Sequence, residues 1–264
     1  YPVVEFFYSL LWQSGPIGFN TVTALLSAIG IGFFALTLRF LRVQHWFIAS
    51  LALASIPVVY INSTTSMDYI WAMAFSLASL YFVYTDRPLV AGLLLGLAIG
   101  SRITSVLLVI PLGILLTRSE RDMNLRNLLL FFSSACIFGA AFYVPVAMSY
   151  GREFLTFYAS GYPPIAAVVR IFTTEIWGAA GLLAVAIAVA SLAIQWKSSS
   201  RIPSHLNSVR RDTVAWTTAI GFYLLLFFRL PHEAGYLVPA LPFVILVLAK
   251  YLTRPAFMTF CMLL

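Results

Sequence analysis

The chain has 264 residues, of which 61% are hydrophobic and 9% charged, and its formal net charge at pH 7 is +7. About 25% of the residues of a soluble domain are charged, so this composition excludes a globule that water could surround. The lysines and arginines are spread over many short loops instead of one face, which argues against nucleic acid as a partner.

The predicted elements begin with residues 1–18, an apolar and aromatic segment expected to lie in the interface on the outer face of a membrane. Continuous apolar runs follow, and such runs favour helices because a backbone in lipid must satisfy its own hydrogen bonds. Nine helical segments are predicted, at 19–38, 47–61, 68–84, 88–100, 103–117, 127–148, 176–196, 214–228 and 236–250. We therefore expect a single all-α domain, a polytopic transmembrane helix bundle with about nine spans over residues 19–250, several of them short. Residues 251–264 are expected to begin a further segment, since both ends of the chain look cut.

The positions of the cations predict which ends of these segments face the cytoplasm. With Arg39 and Arg42 inside and the segments alternating, the inner loops hold most of the cations, a strong positive-inside bias. The predicted inner set is Arg39, Arg42, Arg87, Arg118, Arg121, Arg126, Lys197, Arg201, Arg210, Arg211, Lys250 and Arg254, and the outer set is Arg102, Arg152, Arg170 and Arg229. A single helix over 88–117 would reverse this bias, so the sequence predicts two short helices with a break at residues 100–102. Loops 118–126 and 197–213 are then inside, and loop 149–175 is outside.

Polar residues of the predicted outer face are the candidates for chemistry. They are Glu5, Asn62, Asp68, Arg102, Arg152, Glu153, Arg170, Glu175, Arg229, His232 and Glu233. Asp68 opens a helix and has two interpretations. It either completes a capping box that starts at Thr65, or it presents a carboxylate at the membrane surface to a sugar hydroxyl, a metal or an acceptor.

Arg102 follows a helix whose Gly92, Gly96 and Gly100 form one small-residue face, a pattern typical of close helix packing in membranes. A cation at this place is costly in lipid. Either it reaches out to the lipid headgroups, or it clamps a phosphate in the two-pronged geometry of arginine.

The segment 229–242 is the densest polar cluster between two predicted spans. Its Arg229, His232, Glu233 and Tyr236 either bind a diphosphate or sugar, or form a wet hairpin with an interfacial tyrosine. The chain has no P-loop, zinc motif, GxSxG or dinucleotide fingerprint. No motif indicates a cofactor. The acids of the predicted outer face could bind a divalent metal, but the sequence does not define its ligands.

Four places in the chain resemble the GT-C superfamily of membrane glycosyltransferases, near its protein O-mannosyltransferase and aminoarabinose-transferase branch. Tyr1-Pro2 with residues 20–27 is similar to the end of that family's first outer loop and its second span. Asp68 stands where such proteins carry an acid opening a later helix. Residues 91–102 resemble a Gly-rich short helix that ends in Lys or Arg, and residues 232–242 resemble the late outer loop.

The resemblance implies a GT-C-like fold and the transfer of a sugar from a polyprenyl-phosphate donor to a lipid, glycan or protein acceptor. The active face would point outward from a multi-pass protein of the bacterial inner membrane. Arg102 or Arg229 would hold the phosphate, and His232, Glu233 and Tyr236 would contact substrate. The family's catalytic carboxylate lies upstream of the position where this chain begins, which leaves Asp68 as a candidate general base.

Two other classes of function stay open at this point, a lipid-linked-sugar flippase or polymerase and a non-catalytic subunit of a membrane assembly. Transporters commonly carry internal repeats and charges near the midplane. Here the predicted charges lie at the outer rim, which favours a surface enzyme. The hypothesis also predicts that Asp68 and the His232–Glu233 loop converge on one outward cavity.

Overall fold

A computed structural model of the chain describes residues 1–117, 125–151, 161–198 and 206–264, and these residues are helical without any strand. The predicted all-α class is therefore confirmed for this part of the chain. Its helices are α1 Pro2–Leu10, α2 Gly15–Phe40, α3 Trp46–Ser55, α4 Pro57–Ser63, α5 Asp68–Tyr84, α6 Pro88–Ser101, α7 Val109–Leu116, α8 Leu125–Tyr150, α9 Ile165–Arg170, α10 Ile176–Ser198, α11 Leu206–Arg229, α12 Leu241–Tyr251 and α13 Arg254–Leu263. Tighter 3-10 turns cover Trp12–Ser14, Ile103–Leu108 and Ala234–Ala240, and a π-helical turn covers Ile171–Glu175.

Four stretches of the described chain are long and apolar enough to cross a membrane. They are Trp12–Phe40, Leu125–Tyr150, Ile165–Gln195 and Ala234–Tyr251. The pair α3 and α4 makes a fifth if a bent span is counted as one. Helix α6 and the stretch Ile103–Leu116 are apolar but shorter. The number of nine spans thus stays a prediction.

The predicted segment 47–61 is not one continuous helix, because the chain breaks into α3 and α4 with their axes bent by 71°. Pro57 begins α4, and a proline cannot donate the hydrogen bond that would continue α3. It also pushes the preceding residue out of the helical region, and Ile56 has φ −57° and ψ 125°. A proline placed inside an apolar run therefore sets this break.

Other predicted boundaries shift by several residues. Helix α2 begins at Gly15 instead of residue 19, and α11 begins at Leu206 instead of residue 214. The predicted helices 103–117 and 236–250 each open with a 3-10 turn. Helix α13 lies in the stretch expected to begin a further segment, and it buries Phe257 and Phe260 against the bundle.

Helix α5 is the centre of the bundle and is buried along nearly its whole length. Close approach of neighbouring backbones explains the small residues around it. A Cβ on Gly30 of α2 would lie 2.7 Å from the Cα of Ala74 in α5. On α6, a Cβ on Gly96 would lie 2.6 Å from the Cβ of Phe138 in α8. The predicted glycine face of α6 is thus the face that packs on α8.

The bundle has two chemically different ends, which α5 connects. Near the end of α5, the Trp216 indole N–H donates to the Tyr84 hydroxyl at 3.1 Å, and Arg211 donates to the Thr117 carbonyl. The start of α11 and the end of α7 therefore lie beside Tyr84. Because Arg102 lies beside Asp68 at the other end of α5, the chain must reverse direction between α6 and α7. The predicted break into two short helices is confirmed.

We call the Tyr84 side of the bundle the basic end and the opposite side the Arg102 end. Described cations of the basic end are Arg39, Arg42, Arg87, Arg126, Arg211, Lys250 and Arg254, and those of the Arg102 end are Arg102, Arg170 and Arg229. The cations thus separate between the two ends as the sequence predicts. Arg118, Arg121, Arg152, Glu153 and Arg201 lie outside the described residues, as do the side chains of Lys197 and Arg210 and parts of loops 118–126, 149–175 and 197–213.

Helix α1 lies across the Arg102 end, in the segment predicted to occupy the interface. Val3 and Val4 are buried and pack with Trp71 of α5. Other apolar side chains of the same short helix, Phe6 and Leu10, are exposed. The helix therefore packs on the ends of α5 and α6 at the Arg102 end and also presents apolar side chains outward.

Candidate functional site

The site is built where α6 ends and α5 begins. Arg102 follows α6 with an extended backbone, φ −154° and ψ 118°, which turns its side chain toward the first turn of α5. Its guanidinium donates through Nη1 to the Asp68 carboxylate and through Nη2 to the Tyr69 hydroxyl at 2.9 Å. Arg102 is 2% exposed and Asp68 is 6% exposed, so the ion pair is withdrawn from solvent.

Three tyrosine rings surround the same guanidinium. Its central carbon lies 3.7 Å from the ring centroid of Tyr69, 4.8 Å from that of Tyr236 and 5.3 Å from that of Tyr1. A cation within about 6 Å of an aromatic face is attracted by the ring, and more strongly where water is excluded. The rings therefore replace part of the hydration that Arg102 loses on burial.

Glu233 joins this group from the other half of the chain. The Tyr69 hydroxyl donates to the Glu233 carboxylate across 164 residues of sequence. Glu233 itself is exposed, and it precedes the 3-10 turn Ala234–Ala240. Asp68, Arg102, Tyr69 and Glu233 thus form one hydrogen-bonded chain that runs from the buried bundle to its surface. Together with Tyr1 and Tyr236 we call it the Arg102 cluster.

Gly235 allows the late loop to reach this position. A Cβ on Gly235 would lie 2.4 Å from Cε2 of the Tyr69 ring, so a larger residue would push the loop off α5. Sequence reasoning missed both Gly235 and Tyr69. A tyrosine near a membrane surface is common, so its residue type alone does not single out Tyr69. The one hint in the sequence is that Tyr69 is adjacent to Asp68.

The structure excludes one of the two interpretations left open for Asp68 and one of the two left open for Arg102. The predicted capping box is wrong, because the N-cap residue of α5 is Met67 and no side chain caps the helix. The Thr65 hydroxyl instead donates to the carbonyls of Ile61 and Asn62. Arg102 does not reach toward headgroups either, since its side chain is buried against Asp68. Asp68 and Arg102 are instead joined to each other by a charge-assisted hydrogen bond.

Of the six site residues predicted from sequence, the structure brings Asp68, Arg102, Glu233 and Tyr236 together. Arg229 and His232 lie at the same end, where Arg229 is exposed at the end of α11 and His232 is half-buried. Arg229 forms no ion pair within the described residues. It is therefore a cation that an anionic ligand can reach.

A second ion pair lies near Arg229. Arg170 Nε is 3.1 Å from a Glu175 carboxylate oxygen, and both side chains are exposed. The π-helical turn between them carries Phe172, whose ring lies 5.7 Å from that of Phe227 and 5.8 Å from that of Phe228 in α11. This stacking places the pair beside the last turn of α11.

What this site can do chemically depends on which of its charged groups are exposed to a ligand. Asp68 and Arg102 are bound to each other, whereas Glu233 and Arg229 are open to the surface. An exposed carboxylate held by a tyrosine hydroxyl can accept a proton, and an exposed guanidinium can bind phosphate. In the described part of the chain, no three His, Cys, Asp or Glu side chains are grouped so as to hold a metal ion.

Comparison with protein-family models, with curated protein sequences and with solved structures finds no match for this chain. The resemblance to the GT-C superfamily therefore rests on the residues quoted for it. Three of its four matching places, at residues 68, 91–102 and 232–242, contribute side chains to the Arg102 cluster, and the fourth contributes Tyr1.

Proposed function

We propose that the chain belongs to a membrane glycosyltransferase that takes a sugar from a polyprenyl-phosphate donor at the Arg102 end. That end faces the outside of a bacterial inner membrane, and the fold is GT-C-like. The observation that carries the proposal is the hydrogen bond from Tyr69 to Glu233. It fixes an exposed carboxylate to the buried Arg102–Asp68 pair, at the end of the bundle with fewer cations.

The general base in this mechanism is Glu233 and not Asp68, because the Asp68 carboxylate is buried in an ion pair with Arg102. Glu233 accepts the proton of the acceptor hydroxyl or amine while the acceptor oxygen or nitrogen attacks the anomeric carbon. The bond from that carbon to the phosphate oxygen breaks, and its electron pair leaves with the polyprenyl phosphate. Attack opposite the leaving group inverts the anomeric carbon. Asp68 and Arg102 position Glu233 through Tyr69.

The donor requires a cation at headgroup depth and an apolar surface below it. Arg229 ends α11, and Leu225 lies one turn earlier on the same face, since residues four apart are neighbours on a helix. Leu225 is 70% exposed and Phe228 is 51% exposed. A phosphate bound by Arg229 would thus leave the polyprenyl tail beside exposed apolar side chains.

The test uses membranes that contain the protein and polyprenyl-phosphate donors carrying radiolabelled mannose or aminoarabinose. Sugar transfer is measured together with binding of polyprenyl phosphate. We expect Glu233→Gln to lower the transfer rate by about 100-fold or more, because general base catalysis contributes that much, while polyprenyl-phosphate binding is retained. Arg229→Gln should mainly weaken donor binding.

Glu175→Gln is the matched control, because it removes an exposed carboxylate at the same end that lies outside the Arg102 cluster. Its transfer rate should stay within about twofold of the unmodified protein, since exposed ion pairs contribute little. A Glu233→Gln variant that transfers sugar at the unmodified rate would exclude Glu233 as the base.

One observation favours a second function, a non-catalytic subunit of a membrane assembly. Asp68, the candidate general base of the sequence analysis, is bound through one carboxylate oxygen to the buried Arg102 guanidinium. Such a subunit would bind polyprenyl phosphate in the same assay and transfer no sugar with either donor. A lipid-linked-sugar flippase or polymerase has less support, since the described charges lie at the ends of the bundle.

A further inference from the structure

A cavity of about 570 Å³ opens at the basic end, on the side of the bundle opposite the Arg102 cluster. It lies between the end of α2, the start of α11, the end of α12 and the start of α13. Phe40, Leu246 and Phe257 give it apolar walls. Nothing in the proposed transfer reaction uses this cavity.

The charged residues that line the cavity are Arg42, Lys250, Arg254 and Asp212. Lys250 is anchored by its hydrogen bond to the Thr213 hydroxyl at 2.7 Å. Arg42 and Arg254 are exposed, and within the described chain neither forms an ion pair. Cations thus outnumber the single lining carboxylate, and two of them are available to an anion.

Arg42 has an unusual backbone for its residue type. Its φ is 55°, and the Val43 N–H donates to the Leu38 carbonyl at 2.9 Å. This is the helix-ending motif in which glycine is the usual residue, because a side chain is strained there. Arg42 follows α2 in this turn, and it lines the cavity.

We propose that this cavity binds a phosphate group, and that the phosphate is carried by an anionic phospholipid. An arginine binds phosphate through paired hydrogen bonds, and basic pockets between membrane helices suit phospholipid headgroups. The apolar walls favour a lipid over free phosphate because they would contact acyl chains. The site is independent of the sugar transfer proposed at the Arg102 end.

The experiment uses the purified chain in a neutral detergent with three probes, dioctanoyl phosphatidylglycerol, dioctanoyl phosphatidylcholine and inorganic phosphate. Binding is measured by native mass spectrometry. We expect phosphatidylglycerol to bind about tenfold more tightly than phosphatidylcholine, and Arg42→Gly to weaken phosphatidylglycerol about tenfold. Arg42→Gly should not lower the unfolding temperature without lipid, because glycine relieves the strained backbone.

Asp86→Gly is the matched control for this substitution. Asp86 has φ 54° after α5, and the Arg87 N–H donates to the Phe82 carbonyl at 2.9 Å, so the same motif is changed. Asp86 does not line the cavity, and its variant should bind phosphatidylglycerol within about twofold of the unmodified chain. Arg254→Gln is a second variant that removes a cavity cation without altering a helix-ending motif.

Equal affinity for the two lipids, or unchanged phosphatidylglycerol binding in both Arg42→Gly and Arg254→Gln, would overturn the proposal. Inorganic phosphate that displaces phosphatidylglycerol at similar concentrations would support the phosphate site and identify free phosphate as its ligand. Phosphate that fails to displace it would support the lipid.

Discussion

At the scale of single residues, the Arg102 end depends on one ion pair that water does not reach. Removing one partner of such a pair leaves an uncompensated buried charge, whereas removing both partners does not. The rings of Tyr69 and Tyr236 stabilise the cation but cannot neutralise it. The contribution of the pair is therefore best measured by changing its members singly and together.

We predict that Asp68→Ala and Arg102→Ala each lower the free energy of unfolding by about 3–5 kcal/mol. The double variant should lose clearly less than the sum of the two, because the residues are in direct contact. Unfolding of the purified chain in detergent measures all three changes. Glu175→Ala is the control, and breaking its exposed pair with Arg170 should cost less than about 1 kcal/mol. Additive losses at Asp68 and Arg102 would show that the pair is not coupled.

Sequence reasoning selected Asp68, Arg102 and Glu233 because charges are rare in apolar segments, and Tyr236 because it belongs to the polar cluster 229–242. It could not show that Asp68 and Arg102 pair with each other, because the two residues are 34 positions apart and their contact depends on how α5 and α6 are rotated against each other. For the same reason it left Arg102 available to phosphate. The partners of a buried charge are set by packing, which no local pattern encodes.

At the scale of helices, the pattern of small residues was the most informative feature of the sequence. The spacing of Gly92, Gly96 and Gly100 predicted a packing face on α6, and α8 lies on it. The break at Arg102 followed from charge alone. The break between α3 and α4 was missed, although Pro57 supplies its cause, because an apolar run was extended across the proline.

We predict opposite effects for two glycine substitutions in these helices. Gly96→Ala should lower the free energy of unfolding by about 1–3 kcal/mol, because its Cβ would lie 2.6 Å from that of Phe138. Gly32→Ala should leave stability unchanged or raise it by up to about 1 kcal/mol, since nothing lies within 4 Å of its added Cβ. Thermal unfolding in detergent compares them. Equal effects would mean that α6 and α8 are not in close contact.

At the scale of the whole molecule, composition was sufficient to predict that the described residues are helical and include helices long and apolar enough to cross a membrane, and the cations predicted how the two ends differ. The number of spans did not follow from the sequence. Helix α5 has 17 residues and is buried nearly throughout by other helices. An apolar run that is covered by protein has the same composition as one that faces lipid, so the sequence does not distinguish a buried helix from a membrane span.

The last prediction concerns the orientation of the bundle in a cell. Gln44 is exposed at the basic end, and Met67 is exposed at the Arg102 end. After Cys136 and Cys261 are replaced by serine, single cysteines at these two positions are treated with a membrane-impermeant maleimide. Met67→Cys should react in intact cells and Gln44→Cys only after permeabilisation, because the end richer in lysine and arginine stays in the cytoplasm. The cysteine-free chain is the control for background labelling. If Gln44→Cys reacted in intact cells and Met67→Cys did not, the Arg102 end would face the cytoplasm. A transfer reaction on the outer surface could then not use Glu233.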